Sequence, residues 1–333
     1  MSKCLIGLVV IDAPHSALNN AGSEAGQATE NIVVVKSMQK GRDSYPYVSG
    51  QAWRSWWRST LEQEFDDWNV SPITREKKIA FTEASPAEYD DDDVFGYMRA
   101  QKKGTLTRLS PLKCSPLIAI EPQRPTSDFG VMARHEGDPV PFEHQFYGSA
   151  LKGVFSLDLD SVGQFTAINR SGYENITEDY PQKMVDSGVN MTQQGQHWLL
   201  DYETRLRRVQ QTIQALPYLS GGANLTLHLT DVTPKLLLMS VIEGGNHPFM
   251  NVMVEENSQG RFSIEALQQV IDDYSDRWLD RIYIGRRAGF MDQLEPDLDS
   301  LQAADERIVY STPNQVIHQI TDGLGLYLSD DGA

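Results

Sequence analysis

The chain has 333 residues, 40% of them hydrophobic and 23% charged, and carries a formal net charge of −17 at pH 7. This composition predicts a globular protein with one elaborated domain or two. The only cysteines are Cys4 and Cys114, which excludes a disulfide framework and a cysteine metal cluster. The apolar run at 5–11 is too short for a membrane span and lacks a signal-peptide cleavage region, so we expect a cytoplasmic protein.

The charge is unevenly distributed along the chain. Acids gather at 88–93 and after Asp292, whereas two stretches are rich in basic side chains. Residues 32–60 and 97–115 contain Lys36, Lys40, Arg42, Arg54, Arg58, Arg99, Lys102, Lys103, Arg108 and Lys113, against the single acid Asp43. A molecule polarised in this way can hold a polyanion on one face. Scattered, solvated charge is the alternative, and charge alone does not choose between the two.

The apolar pattern predicts an α+β fold. Strand-like runs lie at 4–12, 114–121, 150–159, 224–232 and 235–243, and helical patterns lie at 50–66, 196–215 and 263–281. Strands separated by helices and long excursions favour an α+β sandwich over a doubly wound parallel sheet. One excursion, 67–112, predicts an inserted subdomain. The other, 122–147, has four prolines and few apolar residues, which predicts a projecting hairpin.

The helix predicted at 50–66 has two different sides. Helical spacing places Trp53, Trp57, Thr60, Leu61 and Glu64 on one side, which we expect to be core. The neighbouring side carries Gln51, Arg54 and Arg58. Ser49 is the expected N-cap, and Gly50 allows another backbone to approach. Together these features favour a cradle for phosphate groups, with a solvated arginine face as the alternative.

A second candidate for phosphate binding is the stretch "YLSGGANLTLHLT" at 218–230. Ser220, Gly221 and Gly222 precede a predicted strand, and successive small residues can form a nest of backbone amides that suits an anion. An ordinary glycine turn is the alternative. The chain contains neither a Walker motif nor GxGxxG.

Four stretches in this order resemble the CRISPR-associated backbone subunit of the type I Cascade complex, the Cas-seven family, in its DevR-like branch. They are "DAPHSALNNAG" (12–22), "ENIVVVKSMQKGRDSYPYVSGQAWRSWWR" (30–58), "SDFGVMARHEGDPVPFEHQFYG" (127–148) and "LPYLSGGANLTLHLTDVTPKL" (216–236). The expected subtype is I-B. The resemblance implies an RRM-like (ferredoxin-like) palm formed by 1–66 and 148–333, an inserted finger region at 67–112 and a thumb hairpin at 122–147.

The resemblance also implies a set of RNA-binding residues. These are Asn19, Asn20, Lys36, Lys40, Arg42, Ser49, Gln51, Arg54, Arg58, Ser220, Gly221, Gly222 and Asn224. Phe129 or Met132 on the thumb would wedge between bases, and simple packing is the alternative for Met132. Such a protein leaves sequence readout to base pairing between guide and target.

The implied partners are CRISPR RNA, target DNA, the other Cascade subunits and further copies of the chain. The copies would form a head-to-tail filament in which the acidic run at 88–93 pairs with a neighbour. The resemblance implies no membrane, no metal and no cofactor.

Two other functions compete with this non-catalytic scaffold. The first is an RNA-cleaving enzyme that uses Asp12, with His15, Asp128, His135 and His144 as further candidates. No HExxH and no clustered carboxylate–histidine metal spacing supports it. The second is a protein–protein scaffold without RNA, which the two basic clusters disfavour.

Overall fold

The computed structural model describes residues 2–22, 32–101, 104–133, 138, 140–169 and 174–328. Its strands, in chain order, are β1 Lys3–Ser16, β2 Asn20–Gly22, β3 Ile32–Val35, β4 Ser37–Lys40, β5 Asp43–Val48, β6 Thr74–Glu76, β7 Ile79–Phe81, β8 Tyr97–Gln101, β9 Gly104–Arg108, β10 Leu112–Cys114, β11 Leu117–Ala119, β12 Thr126–Met132, β13 Val140–Asp158, β14 Gln164–Phe165, β15 Met191–Gln194, β16 His197–Leu200, β17 Leu236–Glu243, β18 Met253–Glu256, β19 Gln259–Phe262, β20 Ile282–Arg286 and β21 Ile308–Ser311.

The α-helices of the described residues are α1 Gly50–Glu64, α2 Asp90–Phe95, α3 Tyr180–Asp186, α4 Tyr202–Gln214, α5 Leu225–His228, α6 Ile264–Asp273, α7 Glu295–Ala304 and α8 Pro313–Gly323. None of them is long and apolar enough to cross a membrane. The predicted α+β class is confirmed. The predicted strand at 224–232 is wrong, because that segment forms the single turn α5. The pattern at 196–215 contains β16 before α4, and the pattern at 263–281 extends beyond α6.

β1 is the centre of the main sheet, and its position explains the apolar run near the start of the chain. It pairs antiparallel with β13 on one side and with β17 on the other. Because alternate side chains of a strand face opposite ways, Leu5, Val9 and Ile11 enter one core. Ile6 and Leu8 enter another. A strand buried on both faces is almost continuously apolar.

Helices cover both faces of this sheet. The first face packs against α1, α4 and α8, through side chains such as Trp57, Ile213 and Ile317. The second face packs against α6, α7 and the β18–β19 hairpin, through side chains such as Leu267 and Leu298. The strands run in the order β21-β20-β17-β1-β13-β11-β5-β4. The sheet is therefore an internal layer, and only its edges and loops reach solvent.

The start of α1 follows the sequence prediction. The Ser49 side chain accepts a hydrogen bond from the Ala52 amide at 3.3 Å, as an N-cap does. A Cβ atom on Gly50 would lie 2.6 Å from the Cys114 carbonyl oxygen, so glycine is what allows the two backbones to approach. The predicted core side is confirmed except at its end, because Glu64 is exposed. The buried residues are Trp53, Trp57, Thr60 and Leu61.

The aspartates at 90–93 form the first turns of α2 and are buried. Their exposed fractions lie between 0% and 3%. The expectation that this acidic run faces solvent or a neighbouring copy is therefore wrong. The physical reason is a set of partners distant in sequence: Arg108 on β9 and Arg207 and Arg208 on α4.

Two of these carboxylates neutralise buried arginines. Asp93 accepts hydrogen bonds from Arg108 Nη2 and, at 2.6 Å, from Arg208 Nη1. Asp90 accepts from Arg208 Nε and, at 2.8 Å, from Arg207 Nη2. Each buried charge has a hydrogen-bonded partner, as burial of an ion requires. The pairs join α2 to α4.

Asp91 and Asp92 have no comparable arginine. Asp91 Oδ1 accepts a hydrogen bond from the Ser71 amide at 2.8 Å, and the Arg58 Nε atom lies 3.9 Å from its Oδ2 atom. Burial raises the pKa of Asp91 to about 6. Burial likewise raises the pKa of Asp92. The folded protein therefore holds protons on these side chains more tightly than the unfolded chain does.

We expect Asp91→Asn to stabilise the protein above pH 6. Because the folded-state pKa of Asp91 is raised, its ionised form costs folding free energy, and this cost appears as the pH rises from 4 through 6. An asparagine keeps an acceptor for Ser71 without that cost. The variant should gain about 1–3 kcal/mol at pH 8 and almost nothing at pH 4, measured by urea unfolding at both pH values.

Asp93→Asn is the matched control. It leaves buried Arg108 and Arg208 without their full counter-charge, which costs about 3–5 kcal/mol. If Asp91→Asn loses as much stability as Asp93→Asn at pH 8, Asp91 is a counter-ion like its neighbour, and the assignment of separate roles is wrong.

Candidate nucleic-acid interface

The predicted RNA-binding residues lie on two opposite flanks of α1. Arg54 and Trp56 are two positions apart, which on a helix is a rotation of roughly 200°. The Trp56 flank packs against the loop at 220–224, where a Cβ on Gly221 would lie 2.3 Å from Trp56 Cγ. The arginine flank packs against Phe95 of α2. The predicted residues therefore lie on two sides of the helix.

The loop at 220–224 contacts both α1 and the segment just after β1. The Ser220 amide donates to Thr60 Oγ1 at 3.2 Å, and the Ala223 amide donates to the Leu18 carbonyl at 3.0 Å. The amides of Gly221 and Gly222 donate to no acceptor among the described residues. Two adjacent unused amides are the donors that an anion-binding nest requires.

Asn19, Asn20 and Lys36 continue this surface. The Lys36 amide donates to the Asn19 carbonyl at 3.0 Å. The Asn19 Nδ2 and Asn20 Oδ1 atoms are buried without a hydrogen-bond partner among the described residues. A buried polar atom without a partner is costly, and a ligand that supplies the missing partner offsets that cost.

Lys36 also lines a cleft of about 390 Å³ between β3, β5 and the base of the β12–β13 hairpin. Ser37, Tyr47 and Gln145 contribute polar groups to it. The Ser37 hydroxyl has no partner among the described residues, whereas Gln145 Oε1 accepts from the Val35 amide at 3.3 Å. Sequence reasoning missed Tyr47 and Gln145, which belong to different strands and carry no local motif.

Lys40 and Arg42 lie apart from this surface, at the tip of the β4–β5 hairpin. Both side chains are exposed. Lys40 Nζ is 4.0 Å from Glu255 Oε2 on β18, and the Tyr45 hydroxyl donates to the same carboxylate at 2.7 Å. The hairpin tip is therefore oriented toward the β18–β19 hairpin.

Arg54 and Arg58 differ in what they can offer a ligand. Arg54 Nη2 donates to the Phe95 carbonyl at 2.6 Å and to Ser110 Oγ at 2.9 Å, and burial lowers its pKa. The Arg58 side chain is 40% exposed, with its guanidinium 4.6 Å from the Phe95 ring centre. Its terminal nitrogens donate to no described residue. Arg58 is thus available to a phosphate, and Arg54 is engaged within the fold.

In the second basic cluster, at 97–115, two of the three described basic residues are paired. Arg99 pairs with Glu83 at 3.3 Å, and Arg108 is buried against Asp93. Lys113 is exposed. Lys102 and Lys103 lie outside the described residues.

The hairpin that contains the proposed wedge residues pairs Thr126–Met132 with Val140–Phe146. Phe129 and Met132 are 69% and 56% exposed. Phe129 is opposite Glu143, and Met132 is opposite Val140. Because alternate residues of a strand face opposite ways, the two wedge candidates lie on opposite faces of the hairpin.

The catalytic candidates are divided between β1, which carries Asp12, and the hairpin, which carries Asp128 and His144. Asp12 pairs with Ala150 in the sheet, and strand alternation places it on the second face with Leu8. His144 Nε2 lies 3.4 Å from Asp128 Oδ2 on the hairpin, and His135 lies outside the described residues. Among the described residues, no group of three or more histidine, cysteine, aspartate or glutamate side chains is arranged to hold a metal ion.

One grouping was missed by the sequence analysis. The His15 and His228 rings lie 5.9 Å apart, and His228 lies 6.2 Å from Phe146. The sequence does carry a signal for its strand residues. Phe142, His144 and Phe146 occupy alternate positions, which places them on one face of a strand.

Comparison with known proteins identifies the class first: this is a CRISPR-associated protein. The family described as "CRISPR-associated negative auto-regulator DevR/Csa2" matches residues 9–259. Because this match spans most of the chain, the protein belongs to the DevR/Csa2 family, and the family resemblance noted in the sequence is confirmed. No curated protein matches the chain.

Two solved structures share the fold. A chain of a "CRISPR RNA-guided surveillance complex, pre-nicking" superposes with a TM-score of 0.56 at 13% sequence identity, covering 96% of this chain and 99% of that chain. A chain of a "CRISPR RNA-guided surveillance complex" gives a TM-score of 0.53 at 10% identity, with coverage of 96% and 99%. At these identities the likeness is one of fold.

We expect Arg58→Ala and Arg54→Ala to have different effects on RNA binding. Arg58→Ala should flatten the dependence of log Kd on log salt by roughly 0.7, the value for one neutralised phosphate on a single strand. Arg54→Ala should leave that slope unchanged and should lower stability by about 1–3 kcal/mol, because buried acceptors lose their donor. Fluorescence anisotropy at several salt concentrations and thermal unfolding measure the two effects. An equal change of slope in both variants would contradict this division.

Proposed function

We propose that the protein is a CRISPR RNA-binding backbone subunit of a type I Cascade complex, which lines up along the guide and presents it to target DNA. Membership of the DevR/Csa2 family and a fold shared with two surveillance-complex chains support the proposal. Subtype I-B stays a prediction from the sequence resemblance. The observation that carries the proposal is the continuous set of unused polar groups from Gly221 and Gly222 through Asn19 to Lys36.

These groups suit the backbone of a nucleic acid. Backbone amides and a lysine bind phosphates without regard to base identity. Arg58 and Gln51 on the exposed part of α1 extend the surface across the helix to its other flank. A guide bound through its phosphates leaves its base edges available for pairing.

We propose that the main body acts as an RRM-like palm. The order β17-β1-β13-β11 is antiparallel throughout, with α1 and α4 on one face, and this order supports a ferredoxin-like core. One feature differs from an ordinary RNA-recognition motif, which binds bases on its open sheet face. Here α6 and α7 cover that face, so RNA must bind at the sheet edge and the loops.

We propose that copies associate head to tail, with the thumb hairpin of one copy against the finger region of the next. Because the aspartates at 90–93 are buried, they do not set the register of this contact. Exposed apolar side chains are the better candidates: Ile79 and Met98 on the finger region, and Val131 on the hairpin, are 61% to 72% exposed. A head-to-tail contact of this kind produces an open helix.

RNA should drive this assembly in steps. One copy covers a short segment of single strand, so longer guides should recruit more copies. Mass photometry of the protein alone should show monomers or weak association at moderate salt. With CRISPR RNAs of increasing length, the mass should rise by whole subunits. One fixed stoichiometry on all guides would rule out the filament.

The protein should not cleave RNA. Asp12 lies on the second face of the sheet, whereas the 220–224 loop packs against α1 on the first face. Labelled single-stranded RNA should remain intact with and without Mg²⁺ on a denaturing gel. Cleavage that disappears in Asp12→Ala would instead establish the RNA-cleaving alternative.

A further inference from the structure

A row of aromatic rings runs from the β12–β13 hairpin to the end of β1, outside the phosphate-binding groups described above. The Phe142 and His144 rings are 6.0 Å apart and nearly parallel, at 20°. Phe146 lies 6.2 Å from His228, and His228 lies 5.9 Å from His15. These five residues are called the ring row below.

The ring row lies in an open, apolar part of the surface. His15 is exposed, and Phe142 is 36% exposed. Leu227 and Leu229, which flank His228, are 57% and 82% exposed. Met132 is on the same hairpin face as Phe142. Exposed apolar side chains grouped in this way mark a binding surface.

The electrostatics of the row favour bases over phosphates. Burial lowers the pKa of His228, and the nearby His15 and His144 lower it further, so this imidazole is neutral at physiological pH. Asp128 lies beside the row, with its carboxylate 3.4 Å from His144 Nε2, and a carboxylate repels phosphate. Flat rings are surfaces on which any base can stack.

The row is continuous with the phosphate-binding loop. The Leu18 carbonyl accepts from the Ala223 amide at 3.0 Å, which places the chain after His15 against the chain before His228. Gly222 lies against the segment that follows His15, because a Cβ on Gly222 would be 2.6 Å from Leu18 Cδ2.

We propose that the ring row stacks bases of single-stranded RNA whose phosphates are held by the 220–224 loop and Lys36; this rests on the proposed function. Neighbouring rings are about 6 Å apart within the Phe142–His144 pair and within the group of Phe146, His228 and His15, which gives separate platforms for the bases of one strand. Gly130 makes room for the Phe142 ring because it has no Cβ atom. A Cβ at this position would lie 2.1 Å from the ring. The ring thus lies flat over the opposite strand.

The inference also distinguishes the two wedge candidates. Residues directly opposite in an antiparallel pair share a face, so Gly130, Phe142, Asp128 and His144 are on one face. Met132 belongs to that face by alternation, and Phe129 belongs to the other. Met132 is the residue that meets the bases.

Photocrosslinking tests the proposal directly. Single-stranded RNA carrying 5-iodouridine is bound, irradiated and digested, and the adducts are mapped by mass spectrometry. Adducts should fall on ring-row residues or Met132 and not on Phe129. RNA that binds but gives adducts only elsewhere overturns the ring row and leaves the proposed function intact. RNA that does not bind at all overturns the proposed function.

Two exposed phenylalanines of the same hairpin provide matched variants. Phe142→Ala should weaken RNA binding between about fivefold and about 150-fold, the range for losing one stacked base, with the salt slope unchanged. Phe129→Ala should change affinity less than twofold. His228→Phe should retain the affinity that His228→Ala loses, because the ring and not the imidazole nitrogen is used. Equal effects of Phe142→Ala and Phe129→Ala, with both variants folded by thermal unfolding, would overturn the proposal.

Discussion

The buried pairing of Asp90 and Asp93 with arginines is the constraint on which the arrangement of this protein depends. Arg208, 1% exposed, contacts both carboxylates, and Arg108 reaches Asp93 from β9. Charges removed from water are tolerated only with complete partners, so α2, α4 and β9 must come together in one arrangement. The same pairing neutralises part of the acidic run inside the fold, where it cannot repel a bound polyanion.

The second constraint is the sheet, which is covered on both faces. Because α1, α4 and α8 occupy one face and α6 and α7 the other, the described part of the sheet leaves no open face on which bases could stack. The groups left to bind a ligand are at the edge of the sheet and in the loops. They lie near the end of β1, near β3 and in the 220–224 loop. That is where the unused amides and the unpartnered asparagine atoms lie.

Local signals in the sequence predicted the elements that local physics determines. The Ser49 cap, the tryptophan side of α1 and the continuous apolar strand β1 all follow from spacing and residue type. The errors have non-local causes. The run at 90–93 is buried by pairing with arginines of α4. These arginines lie more than 110 residues further along the chain, so no local pattern could reveal them. The segment at 224–232 has the alternation of a strand, but Leu225–His228 forms a single helical turn and not a strand of the sheet. The candidate site was predicted in its parts, but the engagement of Arg54 with Phe95 and Ser110 was not.

In a protein of net charge −17, two physical criteria separate side chains that are engaged within the fold from side chains that are available to a ligand. The first is whether a cation already has partners: Arg54, Arg108 and Arg208 do, whereas the terminal nitrogens of Arg58 have none in the part of the chain that the structure describes. The second is which face of a strand a side chain occupies, and it separates Met132 from Phe129 although both are exposed. Composition cannot supply either criterion. An arginine that pairs inside the fold and an arginine that is available to a phosphate are the same residue type. The candidate binding surface is therefore limited to the groups that the described part of the fold leaves unpaired, and these are fewer than the basic residues of the two stretches.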